Sequence, residues 1–336
     1  QVMLSIPAAP RAATVLFSSF LLGALLAPAA TAQGQSAAAR DAEFVRGLAK
    51  DLRFVDLAQE ETTRLAAKYK NSDSASDIAL LDLDIKLIGA EILSNSEERR
   101  SLYLQALKKS GEIYEAYKGE AVGTQALETQ AEAAFEFGEF LLDQLTVARQ
   151  ENPDQVKELE EQANTAFKAG VQACDGLMSA LSDQKESDPQ ARFRHNWNWL
   201  RKGVLQRMHA RAVPENREFL ADSARVTLEE FIFEVGEHTA LGLKGLFEYF
   251  QCTEVVGDLE GAAMEYGDVV EQILITVNDD TLEIPAATLQ VLLDLAQEVY
   301  ESTVRVLLEA GKADEAIAKA AEFKKLIESQ KPKDVE

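Results

Sequence analysis

Apolar and polar residues alternate along this chain with the three-to-four-residue spacing of amphipathic helices. Residues 286–309 show it most clearly, because their apolar positions fall on one helical face with Glu and Gln between them. Those apolar positions are Leu289, Leu292, Leu293, Ala296, Val299, Tyr300, Thr303, Val304 and Leu307. Residues 313–327 repeat the pattern after only Ala310-Gly311-Lys312, and so short a connection forces the two helices to run antiparallel. The pattern therefore predicts a helical hairpin.

Start signals divide the rest of the chain into further helices with short connections. Ser94 and Glu97 have the spacing of a capping box, and Asp188 precedes Pro189 as a capping side chain precedes the first helical residue. The predicted helices, about eleven in number, are 41–70 with a break near Arg53, 77–93, 97–118, 121–150, 154–183, 189–212, 215–237, 239–254, 258–277, 286–309 and 313–329. This organisation predicts an all-α fold of stacked antiparallel helical hairpins, an α-solenoid. A closed α/α toroid is the alternative arrangement.

Two segments share a spacing of glycine and small residues. Gly257 and Gly311 each follow a helical segment, and Ala262 and Ala316 each lie five residues further on. This pattern resembles the tetratricopeptide repeat (TPR) in a degenerate form, in which the Gly ends the first helix and small residues let the second helix pack closely. The resemblance is clearest over residues 244–329. It implies a binding or assembly role, with a protein or peptide partner held on a concave face.

The amino-terminal residues have the composition of a secretory leader. One basic residue, Arg11, precedes the apolar run 12–27, and small residues follow up to Ala32. The run is shorter than the roughly 20 apolar residues of a membrane span. We therefore expect cleavage after Ala32, no stable membrane anchor, and export to a bacterial periplasm or the extracellular space. The predicted divisions are a signal peptide over 1–32, a flexible segment over 33–40, a helical repeat domain over 41–330 and a tail over 331–336.

Charge and cysteine content limit the partners of the chain. Its 34 Lys and Arg residues oppose 57 Asp and Glu residues, which gives a formal net charge of -23. This charge disfavours nucleic acid and anionic bilayers as partners. Two Cys residues are too few for a disulfide scaffold or a Cys-based zinc site, and the sequence leaves open whether Cys174 and Cys252 are paired. We expect no metal and no cofactor.

Residues 189–213 reverse this acidic character, because they contain both Trp residues, two of the three His residues and no acid. On a helix, Trp197 falls on a stripe with apolar residues, which predicts that this stripe is buried. Trp199 falls with His195 and His209 on the opposite stripe, which predicts that this second stripe faces solvent. One interpretation is structural, with the cations paired to acids of neighbouring helices. Another is a binding face for a carboxylate-rich protein or peptide. The candidate binding residues are Arg194, His195, Trp199, Arg201, Lys202 and His209.

A catalytic interpretation of the same segment is the alternative. Arg194, His195, Asn196 and Trp197 form a set that is able to neutralise a uronic acid and move its proton. Such a site belongs to a helical-toroid lyase or glycosidase that acts on an acidic polysaccharide. Aromatic residues make up only 7% of the chain, and no second cluster completes the site. The sequence therefore favours a non-enzymatic scaffold with no catalytic residues.

Overall fold

The computed structural model of the protein describes residues 36–278 and 284–329. Within these ranges the chain forms twelve α-helices, two 3₁₀ turns and no strand, which confirms the all-α prediction there. The helices are α1 Ala37–Lys50, α2 Val55–Tyr69, α3 Ala75–Ile92, α4 Ser96–Ala116, α5 Ala121–Glu151, α6 Val156–Leu181, α7 Pro189–Ala212, α8 Arg217–Val235, α9 Ala240–Val255, α10 Leu259–Val277, α11 Ala286–Glu309 and α12 Ala313–Ser329. The predicted signal peptide and the predicted tail lie outside the described residues.

The first predicted helix is two helices in the structure, so the count is twelve rather than about eleven. The backbone at Arg53 has a φ of 58°, a left-handed conformation that interrupts a helix and that residues other than Gly rarely adopt. The predicted break near Arg53 is therefore confirmed. Helix α1 begins at Ala37, before the predicted start at residue 41, because the Ser36 side chain accepts the backbone N–H of Ala39 at 3.1 Å.

The capping signals are partly displaced from their predicted positions. The cap of α4 is Asn95 rather than Ser94, because the Asn95 side chain accepts the backbone N–H of Glu97 at 2.9 Å. The cap predicted at Asp188 is confirmed, with Pro189 as the first residue of α7. Helix boundaries agree with the prediction to within a few residues.

Two hairpins contain the glycines on which the repeat resemblance rests. Gly257 lies between α9 and α10 with a φ of 97°, and Gly311 lies between α11 and α12 with a φ of 77°. This left-handed conformation favours glycine after a helix. Ala262 and Ala316, five residues further along, are both buried in the contact between their paired helices. Small side chains at these positions let the helices approach closely.

The helices form a two-layer array in which each one packs against the next along the chain. The odd-numbered helices α1, α3, α5, α7, α9 and α11 also contact one another in series, whereas among the even-numbered helices only α4 and α6 do so. The odd-numbered helices are thus closer to one another than the even-numbered helices are. We therefore call the odd-numbered helices the inner layer and the even-numbered helices the outer layer.

The hydrophobic core runs along the array and divides near α9. The largest cluster lies mainly on α3 to α8, where Phe137, Phe167 and Phe231 are fully buried. A second cluster lies on α9 to α12, where the rings of Phe247 and Tyr266 meet edge to face with centroids 5.2 Å apart. The outer helices α8 and α10 do not contact each other at this division.

Candidate functional site

Helix α7, which carries the basic segment, is packed on several sides by α5, α6, α8 and α9. The Trp199 ring meets the Phe231 ring of α8 at a centroid distance of 6.3 Å. On the other side, His209 Nε2 lies 3.0 Å from Oδ1 of Asn164 on α6. His195 and His209 are only 7% and 6% exposed. The expectation that their stripe faces solvent is therefore wrong for both histidines, because helices of the outer layer cover it.

Burial also removes the positive charge of these two histidines. It lowers the pKa of His209 to about 4, and the nearby Lys168 charge lowers the pKa further. Burial likewise lowers the pKa of His195, whose ring meets the Trp199 ring edge to face with the centroids 5.9 Å apart. Both imidazoles are neutral at pH 7. The geometry therefore gives no support to the catalytic interpretation, which needs an accessible His195 beside an acidic sugar.

The cations among the candidate residues have partners within the same chain. Arg194 of α7 forms an ion pair with Glu128 of α5. Lys202 Nζ lies 2.7 Å from Oδ1 of Asp175 on α6. The Arg201 guanidinium carbon lies 5.9 Å from the centroid of the Trp197 ring. A carboxylate-rich partner would have to displace these acids, so the contacts favour the structural interpretation of the segment.

The structure does not divide the two tryptophans into a buried and an exposed ring as predicted, because both pack against the same core cluster. Trp197, expected in the core, stacks at 6.4 Å on Phe193, which is exposed, and its buried Nε1–H has no acceptor among the described residues. Trp199, expected at the surface, packs against the fully buried Phe231. Both rings are half-buried. The assignment fails because an inner-layer helix has neighbours on most of its circumference, so an apolar stripe does not identify its single buried side.

A buried ion network joins three helices of the inner layer. Arg207 Nη2 of α7 lies 2.8 Å from Oε2 of Glu248 on α9, and Lys244 Nζ lies 3.1 Å from Oε1 of the same carboxylate. Lys244 also reaches Glu298 on α11 at 2.9 Å. Burial alone would raise the pKa of Glu248, but the charges of Arg207 and Lys244 outweigh it and hold the pKa below the ordinary value. The network fixes the spacing of α7, α9 and α11.

The inner junction between α3 and α5 has the opposite electrostatic character. Burial raises the pKa of Glu136 to about 7, and the charges of Glu132, Glu91 and Glu139 raise it further, while Arg201 opposes the shift. Burial also raises the pKa of Glu91. Across the described part of the chain, no ion pair joins Glu91, Glu132 or Glu136 to a cation. The carboxylates at this junction therefore repel one another in the folded chain, and protonation of Glu136 relieves the repulsion.

Both cysteines are buried free thiols, so the question that the sequence leaves open is answered: they are not paired. Burial raises the pKa of Cys174 to about 12 and that of Cys252 to about 11. A thiol is a poor nucleophile and a poor metal ligand while it stays protonated. Neither thiol is poised to react, and both behave as core side chains.

Helix α8 carries a row of exposed apolar side chains that the sequence analysis did not single out. Phe219, Val226 and Phe233 are 75%, 55% and 90% exposed. They lie seven residues apart, which places them on one helical face, and we call them the α8 stripe. The opposite face of α8 is a conventional core face, with Ala221, Ala224, Leu228 and Phe231 buried. The seven-residue spacing is the sequence signal that identifies this second apolar row.

A cleft of about 440 Å³ adjoins the last residue of the α8 stripe. It lies between α8 and α9, and Phe233, Ile232, Leu246 and Tyr249 contribute its apolar lining together with the acids Glu229 and Glu237. The cleft is a shallow depression that is open to solvent. The stripe and the cleft together form the candidate binding site.

Comparisons with known proteins give no match, either among protein-family models or among the curated proteins. None of the helices that the structure describes is both long and apolar enough to cross a membrane. In the same residues no group of three or more His, Cys, Asp or Glu side chains is arranged to hold a metal ion.

Proposed function

We propose that the protein is a non-enzymatic scaffold that binds protein partners or holds an assembly together, built from helical hairpins similar to tetratricopeptide repeats. The proposal is supported by the packing of every described helix on its neighbour in the sequence and by the continuous inner layer. Arrays of this kind bury their core only between neighbours and leave long surfaces open to partners. Gly257 and Gly311, with the buried Ala262 and Ala316, support the TPR-like description.

The observation that carries the proposal is the α8 stripe beside its cleft. Phe233 is almost fully exposed at the edge of a cleft with an apolar lining, although burying an aromatic side chain of this size stabilises a fold or a complex by about 2 kcal/mol. Exposed apolar side chains grouped on one helical face beside an apolar cleft support a protein interaction site. Arg194 and Lys202 of the basic segment already contact acids of the chain, so we place the binding site on α8 rather than on α7.

We also propose that this scaffold acts outside the cytoplasm, after removal of residues 1–32. The support is the sequence pattern of the leader, with small residues at Ala30 and Ala32. Amino-terminal sequencing of protein purified from its native host is expected to begin at Gln33. Retention of residues 3–30 in the mature protein would contradict the export proposal and leave the binding proposal intact.

Site-specific photo-crosslinking tests the binding proposal. Phe233→p-benzoylphenylalanine keeps an aromatic side chain at the exposed position and captures what contacts it in the native extract. We expect one dominant protein adduct, and we expect the purified adduct partner to bind the unmodified chain and to lose that binding with Phe233→Ser. The matched control is the same substitution at Phe44, an exposed phenylalanine on α1. Equal adducts at both positions, or no partner that purifies and binds, would contradict the proposal.

A further inference from the structure

The surroundings of the α8 stripe are acidic. Asp222, Glu229, Glu230 and Glu234 alternate with the three apolar residues along the exposed face of α8. Asp222 contacts Arg225 at 3.2 Å, and Glu234 lies 3.8 Å from Lys185 of the connection before α7.

Two of these acids, Glu229 and Glu230, have no cation within 4.0 Å in the residues that the structure describes. Glu237, at the cleft, meets only the exposed His238 at 3.4 Å. The apolar row is thus bordered by carboxylates whose charge is not neutralised within the chain.

We propose that the α8 stripe and the adjoining cleft bind a cationic amphipathic helix of a protein partner, an inference that rests on the proposed function. The row from Phe219 to Phe233 is about 21 Å long at 1.5 Å per residue, which matches some fourteen residues of a helix laid alongside it. The apolar face of such a helix covers the stripe with residues at i, i+3, i+4 and i+7. Its Lys and Arg side chains meet Glu229 and Glu230, and an apolar anchor enters the cleft beside Phe233.

Charge decides between this partner and two other occupants. A second copy of the chain would bring an identical stripe, and the two-fold symmetry of such a pair would set the acids of one copy against the acids of the other. An anionic membrane surface would meet the same carboxylates and the overall net charge of -23. A cationic helix is the occupant that satisfies the apolar row and its acidic border together.

Fluorescence anisotropy with three labelled peptides of about eighteen residues tests the inference on the full chain. One peptide is a Leu/Lys amphipathic helix, the second replaces every Lys with Glu, and the third has the composition of the first in an order with no apolar face. The third peptide measures nonspecific attraction to an acidic protein. We expect the first to bind at least tenfold more tightly than either of the others, and more weakly as salt rises. Equal binding of the first and third peptides would overturn the inference.

Variants locate the binding on the chain. Phe233→Ser is expected to weaken binding of the cationic helix at least tenfold, while Phe44→Ser leaves it unchanged, since α1 is remote from α8 in the array. Glu229→Lys combined with Glu230→Lys should weaken binding of the cationic peptide and strengthen binding of the acidic peptide. Because all four residues are exposed, folding is preserved, and circular dichroism verifies it. An effect of Phe44→Ser equal to that of Phe233→Ser would overturn the inference.

The experiments separate this inference from the proposed function. Suppose that photo-crosslinking at position 233 yields a genuine partner that lacks a cationic helix, or that the acidic peptide binds as well as the basic one. The chain is then a binding scaffold, and the inference about its partner is wrong. Concentration-dependent dimerisation that is abolished by Phe233→Ser would also overturn the inference, because the occupant would then be a second copy.

Discussion

Replacement of Glu248 by Gln is the sharpest single perturbation of the array. Glu248 is the shared carboxylate of the network that joins α7, α9 and α11, and its side chain is 5% exposed. The substitution keeps the size of the side chain and one acceptor oxygen but removes the negative charge. Lys244 keeps its contact with Glu298, so Arg207 is the cation that loses its partner. The cost of the change is therefore the cost of a buried, uncompensated guanidinium.

The magnitude follows from the burial of the pair. Removal of one partner of a buried ion pair destabilises proteins by about 3–5 kcal/mol, whereas replacement of both partners by apolar residues of similar volume is often neutral. We expect Glu248→Gln to cost about 3 kcal/mol, because the retained amide oxygen offsets part of the loss. The double variant Glu248→Leu with Arg207→Met should be more stable than Glu248→Gln. That ordering distinguishes an uncompensated charge from a simple loss of contacts.

Urea unfolding combined with native-state hydrogen exchange measures the effect. Exchange is needed because arrays of repeats open locally, and the helices that lose protection report where the charge was buried. Protection should fall in α7 and α9 and remain unchanged in α1 and α2. A loss below about 1 kcal/mol with unchanged exchange in α7 and α9 would refute the reasoning.

The same network sets a pH dependence. The pKa of Glu248 is lower in the folded chain than its ordinary value of 4.5, so the folded state binds this proton less tightly than the unfolded state does. The stabilisation is complete above pH 4.5 and is lost as the pH falls through the lower, folded-state pKa. The difference in stability between the native chain and Glu248→Gln should therefore narrow below pH 4.5.

Three further outcomes follow from the described contacts. The pKa of Glu136 is raised to about 7 by burial and neighbouring acids, so folding loses stability as the pH rises from 4.5 to 7, and Glu136→Gln should be more stable at pH 8 by about 1–3 kcal/mol in urea titrations. Trp199→Ala removes a contact with the fully buried Phe231 ring and should lower the free energy of unfolding by about 3 kcal/mol. Trp197→Ala should lower it less, because the Trp197 ring stacks on the exposed Phe193, and equal losses would contradict this ranking. Iodoacetamide at pH 8 should leave Cys174 and Cys252 unmodified in the native chain and alkylate both in urea, as read by mass spectrometry.

Much of the fold is predictable from the sequence because helices are local. The apolar spacing over 286–309, the cap at Asp188 and the glycines Gly257 and Gly311 each act within a few residues, and the structure places a helix or a hairpin at each. The break near Arg53 is also local. Such signals predict that the chain is helical and where each helix ends, without stating which sides of a helix meet other helices.

The candidate site could not be predicted from the sequence, because it depends on how the helices pack against one another. Trp197 and Trp199 lie on different faces of one helix, but both rings pack against the core because helices on several sides of α7 cover them. The same limit applies to the α8 stripe. Phe219, Val226 and Phe233 have the spacing of a buried helical face, but the structure buries Leu228 on the opposite side of α8. Burial by distant helices, and not local spacing, separates a binding face from a core face.

Hydrogen–deuterium exchange of the full chain, with and without the cationic amphipathic peptide at saturation, locates the bound peptide on the array. We expect new protection in α8 and α9, around residues 217–255, and none around Phe44 on α1. Protection confined to the inner layer, or spread evenly over the acidic surface, would contradict the claim that the α8 stripe and its cleft form the binding site.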